Sequence, residues 1–233
     1  MRVGIIQSSY VPWRGYFDFI ASVDLFVIYD DAQYSSGTWR NRNHLKTANG
    51  PKWLTVPVKK KLGLAIDETE IEYGHPWIEQ NRGLLKASLG KCPFYREAAA
   101  IWEEGVRHRD KTISELNVRL IRLICSHLAI STPLGFSRQY GIIGAKTDRL
   151  IQLLRAIGAT TYVSGPTARG YLEEQQFRDN GIRLEYKSYD YAPYPQHFGE
   201  FTGAVSILDL IANTGSEAAG LLRSGTPNAV AVG

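Results

Sequence analysis

The polar stretch YDDAQYSSGTWRNRNHLK, residues 29–46, carries side chains suited to binding an anion and moving a proton. Arginine offers a planar fork of N–H donors for phosphate or carboxylate, and asparagine can bind hydroxyls and amides. Asp30 and Asp31 are candidate catalytic groups, and His44 is a candidate general base because it stands in a polar, aromatic setting. The stretch therefore predicts part of a site for an anionic small molecule.

Strand geometry divides this stretch into two faces, because consecutive side chains of a strand point in opposite directions. Asp30 and Asp31 should therefore separate, and Arg40 and Arg42 should share a face from which Asn41 and Asn43 are excluded. We expect that face to line a cleft together with an acid and a tyrosine. The alternative is a solvent-exposed edge strand, on which the arginines only discourage aggregation.

A second candidate element is the loop QSSYVPWRGY, residues 7–16, between a predicted strand and a predicted helix. Aromatic rings can orient a base or a sugar by stacking, while the N-terminus of a helix favours phosphate. Gln7 is the polar candidate of this loop, and Tyr10, Trp13 and Tyr16 are the stacking candidates. The alternative is that the rings merely cover the end of the sheet.

A third candidate is the segment RQYGIIGAKTD, residues 138–148, which precedes a predicted helix. The ammonium group of Lys146 and free backbone N–H groups would converge near a helix cap that we assign to Thr147. The spacing of a Walker A loop is absent. A phosphate or carboxylate site and a plain loop both remain open.

Two weaker candidates lie nearer the C-terminus. VSGPTARGYL, residues 163–172, is a strand end that opens into a glycine-rich turn, with Gly165 and Tyr171. YAPYPQHFGEF, residues 191–201, is an aromatic, proline-stiffened loop that carries Gln196 and the second general-base candidate, His197. The spacing of these residues does not by itself identify a reaction.

The periodicity of apolar residues predicts the elements that position these groups. RVGIIQ, YFDFIASV and LFVIYDD read as a βαβ unit, and parallel strands of an α/β sheet place ligands at their carboxyl ends. Asn49-Gly50 between two extended segments predicts a β-hairpin. Residues 77–128 read as helices, with Thr112 and Glu115 as a capping box.

We therefore predict an α/β fold with a mostly parallel, Rossmann-like sheet flanked by helices, a β-hairpin and a helical insertion. Strand and helix patterns alternate again after Pro133, and the last residues, SGTPNAVAVG, read as a loose tail. Residues 1–75 should form the first half of the α/β domain with the hairpin, 76–131 the insertion, and 132–233 the second half.

Composition limits the class of protein. Of 233 residues, 44% are hydrophobic and 21% charged, which is ordinary for a globular chain. No signal peptide or apolar span is visible, so we expect a cytoplasmic protein without a membrane partner.

Cys92 and Cys125 form no CxxC pair, and we predict no metal site. The net charge of +4 favours anionic ligands, but scattered basic residues, with one run at 59–61, argue against nucleic acid.

Six segments together resemble the WbqC-like protein family. They are QSSYVPWRGYFDFI, DLFVIYDDAQYSSGTWRNRN, GPKWLTVPVK, GATTYVSGP, GYL and YPQHFGEFTGAVSILDLIANTG, in this order along nearly the whole chain. The resemblance implies a role in surface polysaccharide (O-antigen) or natural-product biosynthesis. The implied activity is acyl or aminoacyl transfer to an amino sugar or similar activated precursor, and the resemblance identifies no cofactor.

The resemblance also bears on the site. The substrate-binding residues that we predict are Gln7, Tyr10, Trp13, Tyr16, Gln33, Tyr34, Arg40, Asn41, Arg42, Lys146, Gly165, Tyr171 and Gln196. All of them except Lys146 match positions of the family's motifs. One departure is Asn81, in HPWIEQNRGLL, where the family often has histidine. If that histidine were catalytic, this member would be altered or inactive.

Three functional hypotheses remain open at this point. The first is a transferase that binds a phosphorylated or nucleotide-linked small molecule, with a carrier protein as a further candidate partner. The second is a nucleotidyl or adenylate-forming enzyme, because the opening resembles the nucleotidylyltransferase superfamily, although VPWRGY lacks the histidines of its H-x-G-H signature. The third is a non-catalytic ligand-binding or scaffold protein. The residues alone do not decide whether the chain is an enzyme.

Overall fold

The computed structural model describes residues 1–59 and 61–233, so Lys60 of the predicted basic run lies outside the described residues. The strands are β1 (Arg2–Ile6), β2 (Leu25–Ile28), β3 (Arg42–Thr47), β4 (Gly50–Thr55), β5 (Leu134–Phe136), β6 (Thr161–Ser164), β7 (Arg183–Tyr186) and β8 (Ala229–Val232). The α-helices are α1 (Arg14–Ala21), α2 (Trp77–Leu89), α3 (Tyr95–Arg107), α4 (Ile113–His127), α5 (Lys146–Ile157), α6 (Glu174–Asp179) and α7 (Ile207–Thr214).

Six strands form one sheet in the order β5-β2-β1-β6-β7-β8. The first five are parallel to their neighbours, and β8 runs antiparallel to β7 at the edge. Strand order reverses at β1, whose two neighbours are β2 and β6. Open α/β sheets bind ligands outside the carboxyl ends of the strands at such a reversal. The predicted α/β class and mostly parallel sheet are therefore confirmed. The topology makes the carboxyl end of β1 the expected position of a ligand site.

The predicted hairpin is confirmed as a separate two-stranded sheet formed by β3 and β4. Thr47 pairs with Gly50 at its tip, and Gly50 has a φ of +83°, which glycine tolerates more readily than other residues. Leu45 and Leu54 are fully buried against the body of the protein. One face of the hairpin therefore belongs to the core, and the other is free to carry polar or aromatic groups.

Helices α2, α3 and α4 occupy the predicted helical segment, and the capping box of α4 is present as predicted. Thr112 accepts a hydrogen bond from the Glu115 backbone, and the Glu115 side chain accepts one from the Thr112 backbone. These helices share one core with the first loop, the hairpin and α7. The domain division proposed from the sequence stays a prediction.

Two local predictions were wrong. The expected loose tail contains β8, because pairing with β7 satisfies backbone groups at the edge of the sheet, and Asn228 donates a hydrogen bond to Glu185 over 3.3 Å. Thr147 does not cap α5, since the N-cap is Ala145 and the buried Thr147 hydroxyl accepts from the Glu173 backbone N–H at 3.3 Å.

Candidate functional site

A cleft of 330 Å³ opens at the carboxyl end of β1, between the first loop and the hairpin. It lies at the N-terminus of α1, beside the reversal of strand order. Its lining residues are Ile6, Ser9, Pro12, Trp13, Tyr16, Trp39, Arg40, Asn43 and Ala204. Larger, shallower hollows lie against α4 and beyond the C-terminal end of α1. The cleft is the candidate site because it combines the topological position with a cation and several aromatic rings.

Arg40 supplies the positive charge of the cleft. Its Nη1 donates a hydrogen bond to Oε1 of Gln7 over 2.7 Å, and its buried Nε has no partner among the described residues. Burial lowers the pKa of Arg40, while Tyr16 and Asp30 act in the opposite direction. A guanidinium that is desolvated but bonded only to a neutral amide is suited to accepting an anionic group.

Asp30 does not line the cleft but forms hydrogen bonds with residues next to it. Its carboxylate accepts hydrogen bonds from the Ser8 backbone at 2.7 Å and from the Ser114 hydroxyl at 2.5 Å. Burial raises the pKa of Asp30, whereas these hydrogen bonds and the charge of Arg40 lower it. Asn117 completes the layer by donating to the Arg40 carbonyl over 2.8 Å. These hydrogen bonds hold in place the first loop, residues 7–16, and the turn that carries Arg40, which face each other across the cleft.

Asp31 has different partners from Asp30, so the two carboxylates separate as expected from the sequence. It accepts hydrogen bonds from the Ser137 hydroxyl and from Nη2 of Arg149, each at 2.5 Å. Both aspartates nevertheless lie beyond β2, which ends at Ile28 rather than at residue 31 as predicted. Asp31 belongs to an ion pair away from the cleft.

The aromatic residues of the first loop divide between the cleft and the core. Trp13 and Tyr16 line the cleft, and the Tyr16 hydroxyl donates to the Gln7 carbonyl over 3.2 Å. Tyr10 is fully buried, and its hydroxyl accepts a 2.7 Å hydrogen bond from the indole N–H of Trp102. Gly15 is required locally, because a Cβ there would overlap the Trp13 ring. Tyr10 therefore anchors the loop, Trp13 can face a ligand, and Tyr16 borders the cleft although it is only 4% exposed.

The predicted pairing of Arg40 and Arg42 on one face was wrong. Arg40 stands in the turn before β3, where the two-residue alternation of a strand does not apply. Arg42 lies on the outer face of the hairpin, with its guanidinium carbon 3.9 Å from the ring centroid of Trp53. The inward neighbour is instead Asn43, which lines the cleft and donates to the carbonyls of Tyr10 and Val11.

His44 stands close to the mouth of the cleft. Its ring centroid lies 3.6 Å from that of Trp53 and 5.7 Å from that of Trp39, a lining residue. Burial and then the charge of Arg42 lower the pKa of His44, although the Ala204 backbone acts in the opposite direction. A histidine with a lowered pKa is neutral at physiological pH and can accept a proton.

The loop that follows β7 closes one side of the cleft through Ala204. Lys46, buried on the hairpin, donates to Oε1 of Gln196 at 3.2 Å and to the Glu200 carbonyl at 2.5 Å. Gln196 in turn donates to the buried carboxylate of Asp209 over 2.8 Å. Gln196 therefore holds the loop in place and is not itself a lining residue.

The other predicted site residues lie outside the cleft. His197 approaches the Lys91 carbonyl at 3.2 Å, and Asn41 is buried and donates to the Val56 carbonyl. The remaining members are not among the residues that line the cleft; they are Gln33, Tyr34, Lys146, Gly165 and Tyr171. Tyr171 is 68% exposed. Their predicted roles stay predictions, and this cleft does not include them.

Asn81 lies in α2, and its side chain contacts the hairpin. Its amide donates to the Thr55 carbonyl over 3.0 Å and sits close to the hydroxyl of Tyr10. The position is buried and is not part of the cleft lining. Asn81 therefore makes a buried packing contact next to the first loop, and the sequence-based suggestion that it occupies a catalytic position stays a prediction.

Four lining residues were missed from the sequence: Ser9, Trp39, Asn43 and Ala204. Trp39 and Asn43 flank Arg40 within the stretch that drew attention first, so their proximity to it was a usable signal. Among the described residues, no group of three or more histidine, cysteine, aspartate or glutamate side chains is placed to hold a metal ion. Across the same residues, no helix has the length and apolar character needed to cross a membrane.

Comparison with known proteins gives one family match. The model of the WbqC-like protein family matches residues 7–220. The chain is also similar to uncharacterized protein Rv1507c of Mycobacterium tuberculosis (strain ATCC 25618 / H37Rv), with 44% identity over 227 residues. That alignment covers 95% of this chain and 97% of the relative. No solved structure matches the chain.

Proposed function

This chain belongs to the WbqC-like protein family, and we propose that it is a cytoplasmic transferase acting on an anionic, activated small molecule. The proposed reaction is acyl or aminoacyl transfer to the amine of an amino sugar or a similar precursor. The products would serve surface polysaccharide (O-antigen) or natural-product biosynthesis. The observation that carries the proposal is Arg40, a partly buried cation at the end of β1 without a carboxylate partner among the described residues.

The cleft supports this proposal through charge and shape. Arg40 would bind the phosphate or carboxylate of the substrate, and the N-terminus of α1 adds a favourable dipole nearby. Trp13 is the N-cap residue of α1, and its side chain accepts no capping hydrogen bond. The first backbone N–H groups of α1 are therefore not used by a capping side chain. Trp13 supplies a flat surface for a ring, and the buried Tyr16 borders the same space. Substrate orientation by these groups would lower the entropic part of the barrier.

His44 is the proposed general base. The amine nitrogen forms a bond to the acyl carbon, the bond from that carbon to the leaving group breaks, and the amine proton passes to His44. An amine must be neutral to attack, so a neutral imidazole within reach of the substrate is the chemical requirement. Asp30 is less suited, because Ser8 and Ser114 occupy its carboxylate behind the cleft.

A product assay tests this proposal. The purified chain is incubated with a UDP-linked amino sugar and acetyl-coenzyme A or an aminoacyl donor, and mass spectrometry records amide formation. We expect product with the unmodified chain and a strong loss in His44→Gln, since general-base catalysis contributes typically ~10²–10⁴-fold. Pyrophosphate release from ATP in the same mixtures would instead support the nucleotidyl alternative. Binding without turnover of any donor would support the scaffold alternative.

A further inference from the structure

The mouth of the cleft carries an exposed aromatic surface that the proposed chemistry does not use. Trp39 is 45% exposed and Trp53 is 40% exposed, and they lie 5.5 Å apart between ring centroids. Trp39 is at the same time a lining residue of the cleft. A tryptophan that borders a binding cleft and still faces solvent is a surface on which a ligand ring can stack.

The surroundings hold Trp39 in place and leave its ring available. The Trp39 carbonyl accepts a hydrogen bond from the Tyr10 N–H at 2.9 Å, which ties its backbone to the buried first loop. Its ring meets the His44 ring edge to face, at an interplanar angle of 88°. Trp53, in contrast, already packs against Arg42 and His44. Trp39 is therefore the better placed of the two indoles to receive a further ring.

The volume of the cleft limits how much of a ligand it can enclose. Its 330 Å³ is near the lower end of the ~300–1,000 Å³ that small-molecule sites usually occupy. An anionic group on Arg40 and one ring beside Trp13 would use much of this space. A second ring of the same molecule then has the mouth of the cleft available, where Trp39 is 45% exposed.

We propose that Trp39 stacks on the base of a nucleotide whose phosphate binds Arg40. The inference rests on the proposed function and narrows its substrate to the nucleotide-linked class. The charge of Arg40 favours a phosphorylated ligand at this end of the cleft, because Arg40 donates to the neutral amide of Gln7 and forms no ion pair with the described residues. A planar indole suits a planar base, and such stacking tolerates different bases.

Binding measurements with two probes distinguish the contribution of the base to the affinity from that of the phosphate. Dissociation constants for uridine 5′-diphosphate and for ribose 5-phosphate are measured by calorimetry on the full chain and on Trp39→Ala. We expect the variant to lose roughly tenfold or more in affinity for the nucleotide, the usual size of one base–aromatic contact. Its affinity for ribose 5-phosphate should change less than about twofold, because that probe has no base.

Two further variants act as controls. Trp39→Phe keeps a flat ring and should retain most of the nucleotide affinity. Phe94→Ala removes a partly exposed ring at the start of α3, outside the cleft, and should change neither constant. Equal losses of both probes in Trp39→Ala, or no loss of the nucleotide, would overturn the base-stacking inference alone. Absence of binding by both probes to the unmodified chain would instead overturn the Arg40 anion site and the proposed function with it.

Discussion

Arg40 donates a hydrogen bond to the side-chain oxygen of Gln7 over 2.7 Å, so a neutral amide holds the cation of the cleft. The amide fixes the direction of the guanidinium without neutralising its charge. An aspartate or glutamate in the place of Gln7 would form an ion pair and reduce the attraction for an anionic ligand. The pairing of arginine with glutamine is therefore consistent with a binding role for Arg40.

Arg40→Ala should weaken the binding of a phosphorylated ligand. A charged hydrogen bond contributes about 1.5–3 kcal/mol, so the dissociation constant should rise by roughly 10- to 150-fold. Calorimetry with ribose 5-phosphate measures the change. Arg155→Ala removes an exposed arginine of α5 outside the cleft and is the matched control. Equal affinities of the two variants would contradict an anion site at Arg40.

The pH dependence of transfer should report on His44. Burial and the charge of Arg42 lower the pKa of His44 below its usual range near 6.5, and the basic form is the neutral one. The ratio kcat/KM should therefore rise with pH, with the midpoint of the rise below pH 6.5, and then level off.

Arg42→Gln provides the control for this assignment. Removing the positive charge removes one of the two causes that lower the pKa of His44, so the rising limb should move to higher pH. The pH–rate profile is measured on the unmodified chain, Arg42→Gln and His44→Gln. A limb that keeps its position in Arg42→Gln would exclude His44 as the titrating group.

Asn81→Ala should affect stability more than binding. Loss of its amide leaves the Thr55 carbonyl without this partner and removes a polar contact beside Tyr10. The free energy of unfolding should fall by about 1–3 kcal/mol, measured by urea denaturation. The affinity for a phosphorylated ligand should stay within about twofold, since this side chain is outside the lining set. A large loss of affinity with unchanged stability would assign Asn81 to the site.

Glu185 should make stability depend on pH. A hydrogen bond from Arg2 is the main cause that lowers the pKa of Glu185 to about 2, with Arg183 and Asn228 contributing. Because the pKa is lowered in the folded state, the stabilisation is present above the unfolded pKa and is lost as the pH falls towards 2.

Glu185→Gln isolates this contribution. Arg2 and Arg183 have side-chain exposures of 37% and 45%, so solvent reduces the effect. We expect a loss of about 1–2 kcal/mol at neutral pH. Urea denaturation between pH 7 and pH 3 should show the difference from the unmodified chain shrinking below about pH 4.3. A difference that is constant across this range would contradict a charge-based origin.

Lys46→Met should loosen the loop that carries Ala204. Lys46 is buried and donates to Gln196 and to the Glu200 carbonyl, which a thioether cannot replace. The free energy of unfolding should fall by about 1–3 kcal/mol, and hydrogen exchange should rise in residues 196–204. Lys52→Met, on the outer strand of the hairpin, is the control. Unchanged exchange in the loop would show that other contacts hold it.

Most strands and helices could be predicted from the sequence, because each has a local pattern of residues that indicates it. Apolar periodicity identified the parallel strands and the helices, and Thr112 with Glu115 marked the start of α4. The β8 strand was missed, because its sequence pairs only once β7 is in place. Its small residues and nearby glycine and proline are equally typical of a loose end.

The site was less predictable, for reasons visible at Arg40 and Lys46. The position of Arg40 depends on a turn, where no two-residue period applies, so the expected partnership with Arg42 failed. Lys46 meets Gln196 across 150 positions of sequence, a pairing that no local pattern encodes. Tyr10 resembled Trp13 and Tyr16 as a loop aromatic, and only the position of Trp102 distinguishes it as a core residue.

The long-range attachment of the Ala204 loop sets the order in which the cleft can be assembled during synthesis. Chains emerge from the ribosome N-terminus first, so Arg40, Trp39 and the first loop are available long before residues 196–204. Until those residues emerge and bind Lys46, the nascent chain has the cation and the aromatic surface but not this side of the cleft. Any ligand that needs the Ala204 wall can bind only after residues 196–204 have been synthesised and have contacted Lys46.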